Sequence, residues 1–113
     1  MALFVALAAL ALGPASNGHT YSVAPSTKIV ITLPSNASTG YRWRLAGKPD
    51  ASVVKLVSHR YVAPKPGSNP GAAGKEVWRF RAVAKGSTRL RLTYVQSGSK
   101  HVARAFHVKL RVR

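Results

Sequence analysis

A chain of 113 residues with 46% hydrophobic content, and 18 Lys and Arg against two acids for a formal net charge of +16, can fill one compact domain and little more. Asp50 and Glu76 are too few, and too unrelated in spacing, for paired-carboxylate catalysis; a Ser-His-acid triad would need one of them and has no Gly-x-Ser-x-Gly elbow. Cysteine is absent and His19, His59, His101 and His107 lack ligand spacing, so the expectation is a protein that is not an enzyme, without metal, cofactor or small-molecule substrate.

The N-terminal run ALFVALAALAL, Ala2 to Leu12, is apolar throughout, too short to span a bilayer, and followed by the small residues of GPASNG. It reads as an export signal over residues 1–17, removed between about Ala15 and Gly18, although its n-region carries no Lys or Arg. The expected location is periplasmic or secreted, with a mature domain over 18–113. The competing reading is a strand or helix of the mature fold.

From there the chain reads as strands. TKIVITL at 27–33 is rich in β-branched residues, Tyr41 to Leu45 alternates aromatic and basic side chains, and SVVKLVSHRYV covers 52–62. In VWRFRAVA, Trp78, Phe80 and Ala82 alternate with Arg79, Arg81 and Val83. In STRLRLTYV, Leu90, Leu92 and Tyr94 alternate with Arg89, Arg91 and Thr93. Both runs bury even positions, and a hairpin joined through Lys85, Gly86 and Ser87 keeps even opposite even. The last run buries Phe106, Val108, Leu110 and Val112 and turns His107, Lys109 and Arg111 outward. Short strands, Pro/Gly/Ser/Asn punctuation and no helical period point to an all-β, immunoglobulin-like antiparallel sandwich.

Two breaks interrupt the strands. LPSNASTGYRW, Leu33 to Trp43, carries no charge before Arg42; Gly40 permits a positive φ, and Asn36, Ser38 and Thr39 can bond to local backbone and stiffen the turn. The segment from Ala63 to Lys75 holds three prolines and three glycines and must lie on the surface. Long loops inside a small domain more often bind something than merely connect.

The first break resembles the signature loop of the chagasin-like inhibitors of papain-family cysteine proteases, Asn-Pro-Thr-Thr-Gly followed by Tyr or Phe, with Trp two residues later. Asn36, Thr39, Gly40, Tyr41 and Trp43 match; Ser38 is a mild change and Ala37 stands where the family has proline. The family's second loop, Gly-x-Gly-Gly, is met by Gly71, Ala72, Ala73 and Gly74, with Ala73 in place of a glycine. The third, Arg-Pro-Trp, is missing: after Tyr94 the chain reads VQSGSK, so Gln96, Ser97 and Gly98 fill its place. The resemblance runs from Tyr21 to the C-terminus, in order and at fitting spacing. Singly, each loop is also an ordinary turn, with Tyr41 and Trp43 as inner-face core residues.

The resemblance implies a monomeric wedge whose loops occlude the cleft of a papain-like cysteine protease. By position, Ser38 and Thr39 would cover the enzyme's cysteine and histidine, and Gly40 would set the tip. Asn36, Ala37 and Tyr41 would complete the first loop, Gly71 to Gly74 would line the cleft wall, and Gln96 and Ser97 would flank it. A neutral tip suits that role, since an unpaired charge buried there costs several kcal/mol. Loss of one Trp or Arg hot spot is worth about 2 kcal/mol, or about thirtyfold in affinity, so weakened inhibition is expected unless Trp78, Tyr61 or Arg104 compensates.

The charge carries a second reading. Arg79, Arg81, Arg89 and Arg91 on one hairpin face, with Lys109 and Arg111 beside them, would repel and attract an anionic polymer such as acidic polysaccharide, nucleic acid or a membrane surface. A solvated arginine face is the plain alternative.

Overall fold

The computed structural model describes residues 9–47, 49–69 and 71–113. The strands are β1 (Ala9–Leu12), β2 (Thr20–Val23), β3 (Lys28–Ser35), β4 (Tyr41–Leu45), β5 (Val54–Val62), β6 (Gly74–Ala82), β7 (Gly86–Gln96) and β8 (Val102–Val112), with single 3₁₀ turns at Pro14–Ser16 and Ala37–Thr39. They form two four-stranded sheets, one ordered β1-β3-β6-β5 and the other β2-β8-β7-β4. The architecture is the expected sandwich. Its first strand is split, so that β1 runs parallel to β3 in one sheet and β2 parallel to β8 in the other; every other pairing is antiparallel.

The alternation of period two puts Ile29, Ile31 and Leu33 of β3 and Trp78, Phe80 and Ala82 of β6 against Leu90 and Leu92 of β7 and Phe106, Val108, Leu110 and Val112 of β8, all buried. Fully burying a Leu, Ile or Phe side chain stabilises by about 1.5–3 kcal/mol, so this interleaved layer dominates the fold's free energy. The bulge in β5 between Leu56 and Ser58 interrupts the ladder of an exposed edge strand.

The expected hairpin between β6 and β7 is not formed. β6 pairs with β3 and β5, whereas β7 pairs with β4 and β8, and residues 83–85 cross from one sheet to the other. Even positions of β6 and β7 face the core in both arrangements, because each strand's own period of two decides which residues point inward whichever strand lies beside it. The periodicity was therefore sufficient for the buried set and silent on the pairing. Consequently Arg79 and Arg81 stand on the outer face of one sheet and Arg89 and Arg91 on that of the other. The single four-arginine face does not exist. Lys109 and Arg111 do adjoin β7, opposite Arg89 and Ser87.

Residues 1–8 of the stretch read as an export signal lie outside the described residues. Within the remainder, Leu12 joins the core, and the turn at Pro14–Ser16 carries the chain across to β2. Asn17 and Gly18 are fastened to β8: the Asn17 side-chain oxygen accepts from the His107 N–H at 2.9 Å, and Gly18 N–H donates to the His107 carbonyl at 2.7 Å.

Candidate functional site

Strand register gathers three loops at one end of the sandwich. Ser35, the last residue of β3, pairs with Gly74, the first of β6, which sets the 36–40 loop beside the 63–73 loop. Tyr41 pairs with Gln96, and Ser97 N–H donates to the Gly40 carbonyl at 3.0 Å, which sets the first loop beside the β7–β8 loop. Asn36 to Tyr41, Gly71 to Gly74, and Gln96 with Ser97 therefore share one rim.

The first loop is stiffened as its composition predicts. Thr39 Oγ1 donates to the Asn36 carbonyl at 2.7 Å, Ser38 Oγ donates to Asn36 Oδ1 at 2.6 Å, and Gly40 N–H closes the turn on the Ala37 carbonyl at 3.1 Å. Gly40 sits at φ 80°, ψ 3°, the left-handed region that glycine enters without a Cβ penalty. Ser38 and Thr39 project from the tip, exposed, while Asn36 and Ala37 are half-buried.

Beneath the loop lies an aromatic floor. The Tyr94 hydroxyl of β7 accepts from Asn36 N–H at 2.8 Å, and its ring meets Tyr41 at 5.2 Å and Trp43 at 5.0 Å between centroids. Trp43 is a core residue, 5% exposed, and its indole N–H donates to the Pro34 carbonyl at 2.9 Å. That bond ties β4 to β3 across the two sheets, on either side of the loop. Such aromatic contacts are worth about 0.5–1.5 kcal/mol beyond area burial.

Glu76 is the centre of this end, and sequence reasoning weighed it only as a catalytic acid. It is 0% exposed, accepting at Oε2 from Ser35 Oγ at 2.5 Å and from Trp43 N–H at 3.0 Å, while Oε1 meets His59 Nε2 at 2.6 Å. Ser35 and Trp43 are the stems of the first loop, so one carboxylate clamps both. The His59 ring stacks on Trp78 at 3.6 Å between centroids. A signal existed: the even parity that buries Trp78, Phe80 and Ala82 extends back one step to Glu76, and an inward carboxylate must find donors.

The second loop is drawn in by its last glycine. A Cβ on Gly74 would run into the Val62 carbonyl oxygen and the Tyr61 hydroxyl, so only glycine lets β6 start this close to β5. Ala72 N–H donates to the Asn69 carbonyl at 3.0 Å within the loop. The third loop, Ser97 to His101, carries a Ser99 N–H to Gln96 carbonyl turn at 3.0 Å and no aromatic ring apart from the exposed His101 imidazole. Of the three residues weighed as replacements for its missing anchors, Trp78 is in the core at 4% exposure. Arg104 lies within β8, opposite Tyr94. Tyr61 is half-buried, with the Arg42 guanidinium 4.9 Å over its ring, on the flank beside Gly74.

Fold and rim together define a class: a β-sandwich presenting three adjoining loops at one end, the first of them uncharged and internally bonded. The chain belongs to the chagasin family of peptidase inhibitors, whose model, Chagasin family peptidase inhibitor I42, matches residues 22–112. It is 33% identical over 103 residues to chagasin of Trypanosoma cruzi, covering 86% of this chain and 92% of that one. The fold is similar to that of the cysteine protease inhibitor EhICP2 of Entamoeba histolytica, with a TM-score of 0.81 at 21% identity over 93% of this chain and 96% of that one. It is also similar to PbICP-C, solved in complex with falcipain-2, with a TM-score of 0.64 at 19% identity over 92% and 96% of the two chains. Members of this family are inhibitors of peptidases, not enzymes.

Proposed function

We propose that this protein inhibits papain-like cysteine proteases by seating its three-loop rim in the active-site cleft, with the Asn36–Tyr41 loop foremost. The observation that carries the reading is the pair of registers, Ser35 to Gly74 and Tyr41 to Gln96, which brings all three loops to one edge. Ser38 and Thr39 cover the enzyme's nucleophile and base, and the loop's internal bonds mean little conformational entropy is lost on docking. Gly71 to Gly74 and Gln96 with Ser97 take the two flanks. Without an Arg-Pro-Trp third loop the complex is about thirtyfold weaker than one with a full set of anchors, the equivalent of about 2 kcal/mol.

The test is a titration of papain and a cathepsin-like enzyme with the purified protein and with Thr39→Arg. Thr39 is exposed at the tip, so the variant should keep its thermal midpoint and lose inhibition at least a hundredfold, roughly the 3 kcal/mol of an unpaired buried charge. Inhibition undiminished in Thr39→Arg would sink the wedge.

Export to the periplasm or medium is proposed on the apolar run Ala2 to Leu12 and the small residues after it, with action as a monomer; cleavage after residue 17 would take with it β1, its pairing to β3 and the core residue Leu12. N-terminal sequencing of protein recovered outside the cytoplasm tests it. A start near Asn17 supports removal of residues 1–17, and a chain retaining Ala9–Leu12 refutes it.

A further inference from the structure

The outer face of the β2-β8-β7-β4 sheet carries a feature the inhibitory rim does not use. An open trough of about 760 Å³ runs over β7 and β8, floored by Arg89, Arg91, His107 and Lys109 and walled by His19 on one side and Gly47 on the other. Its floor is two cross-strand basic pairs, Arg89 opposite Lys109 and Arg91 opposite His107. Like charges directly opposed, as Arg89 and Lys109 are, destabilise a sheet. Neither acidic side chain relieves them: Glu76 is buried against Ser35, Trp43 and His59, and Asp50 is bonded to Ser52. Among the described residues the one contact between an acidic and a basic side chain is that of Glu76 with His59.

The cations continue past both ends of the trough. Arg44 opposes Thr93 one row beyond Arg91, and Arg111 opposes Ser87 one row beyond Arg89. Rows two residues apart are about 7 Å apart along a strand, so the four rows span about 20 Å. That is too long for one small ion and suited to a chain bearing several anions. No Trp, Tyr or Phe lines the trough, so it offers no platform on which nucleic-acid bases would stack. Guanidinium forks instead fit planar and tetrahedral oxyanions.

We propose that this trough binds sulfated polysaccharide through its sulfate oxyanions, independently of the protease-facing rim. The rim loops rise from the Ser35, Tyr41 and Gln96 ends of their strands, whereas the trough lies over the middle of β7 and β8, so both sites can be filled at once.

Heparin is the probe, titrated against the full chain at rising salt. The triple variant Arg89→Ser, Arg91→Ser, Lys109→Ser should lose at least tenfold in heparin affinity. A variant of equal charge loss on the opposite sheet, Lys55→Ser, Arg79→Ser, Arg81→Ser, should lose no more than threefold. Thr20 pairs with Lys109 at the trough wall; Thr20→Glu removes no cation yet should weaken heparin as well, which guards against a triple variant that misfolds. Papain inhibition should be unchanged in both trough variants. Equal losses in the two triple variants would mean net charge alone and overturn the proposal. Tighter binding of a dT oligonucleotide than of heparin, lost in the trough variant, would overturn it in favour of nucleic acid. Full competition by inorganic sulfate at matched sulfate concentration would reduce the site to a free-anion site and overturn the polymer.

Discussion

Replacing Glu76 separates the clamp's contribution from that of ordinary core packing. Glu76→Leu keeps an inward side chain of similar bulk but leaves the Ser35 hydroxyl, the Trp43 N–H and His59 Nε2 without the acceptor they share. A buried donor left unsatisfied costs about 1–3 kcal/mol, and breaking one side of a buried charged network costs about 3–5 kcal/mol. The side chain of His59 is 32% exposed and water can take over its bond, so the lower end of that range applies, about 3 kcal/mol. In a domain near 100 residues each kcal/mol moves the midpoint by about 4–8 °C, which places the loss at about 12–24 °C in calorimetry. Glu76→Gln keeps the shape and one carbonyl acceptor, and should cost about 1–2 kcal/mol. Both variants should also raise the inhibition constant for papain at a temperature well below either midpoint, because Ser35 and Trp43 are the two stems of the first loop. A midpoint within about 3 °C of wild type for Glu76→Leu would refute the clamp, since even one orphaned buried donor exceeds that.

Three further outcomes follow from the same geometry. Tyr94→Phe removes the acceptor for Asn36 N–H and nothing else; stability should fall by about 1 kcal/mol in urea titration while inhibition weakens by more than that, because the freed loop must be ordered again on docking. Gly74→Ala forces its new methyl against the Val62 carbonyl and Tyr61 hydroxyl; the midpoint should drop, and amide exchange should quicken at Ser35 and Val62 as β6 parts from its neighbours. Asp50 is held below its ordinary carboxylate value by the side chain and then the backbone N–H of Ser52. A depressed folded value means the charged form stabilises the fold above the unfolded value of 3.8 and loses that contribution as pH falls through the folded one. Asp50→Asn should therefore sit below wild type in midpoint at pH 6 and converge with it in acid.

The buried inventory of the strands was legible in the sequence because period two is a local property. Phe106, Val108, Leu110 and Val112 needed no partner to be identified as inward. Pairing was not legible where two arrangements share a parity, which is why the β6–β7 hairpin and its single arginine face were expected and are absent. The first loop was readable as a stiff neutral turn, since Thr39, Ser38 and Gly40 find their partners within four residues. What holds that turn in place was not. Glu76, Tyr94 and the Trp43 indole reach it from 40, 58 and 7 positions away from Asn36 along the chain, and a contact of that span leaves no mark in local composition. The split first strand escaped notice for a related reason: parallel edge pairs such as β2 with β8 join residues near opposite ends of the chain.

The distribution of polar burial bears on how such a rim binds. A single acid placed at the core's upper end is costly to bury unless donors meet its oxygens, and removing it alone leaves those donors without an acceptor. Here its two main donors, the buried Ser35 hydroxyl and Trp43 N–H, are also the stems of the exposed tip, so the carboxylate holds both ends of the Asn36–Tyr41 loop. Binding by insertion rewards that arrangement: each side chain or loop ordered only on docking subtracts from affinity, by about 0.5–1.5 kcal/mol per side chain. A loop already bonded through Asn36, Ser38 and Thr39 and clamped at both stems has little left to lose. The clamp variants are therefore expected to weaken inhibition without touching a single residue at the tip.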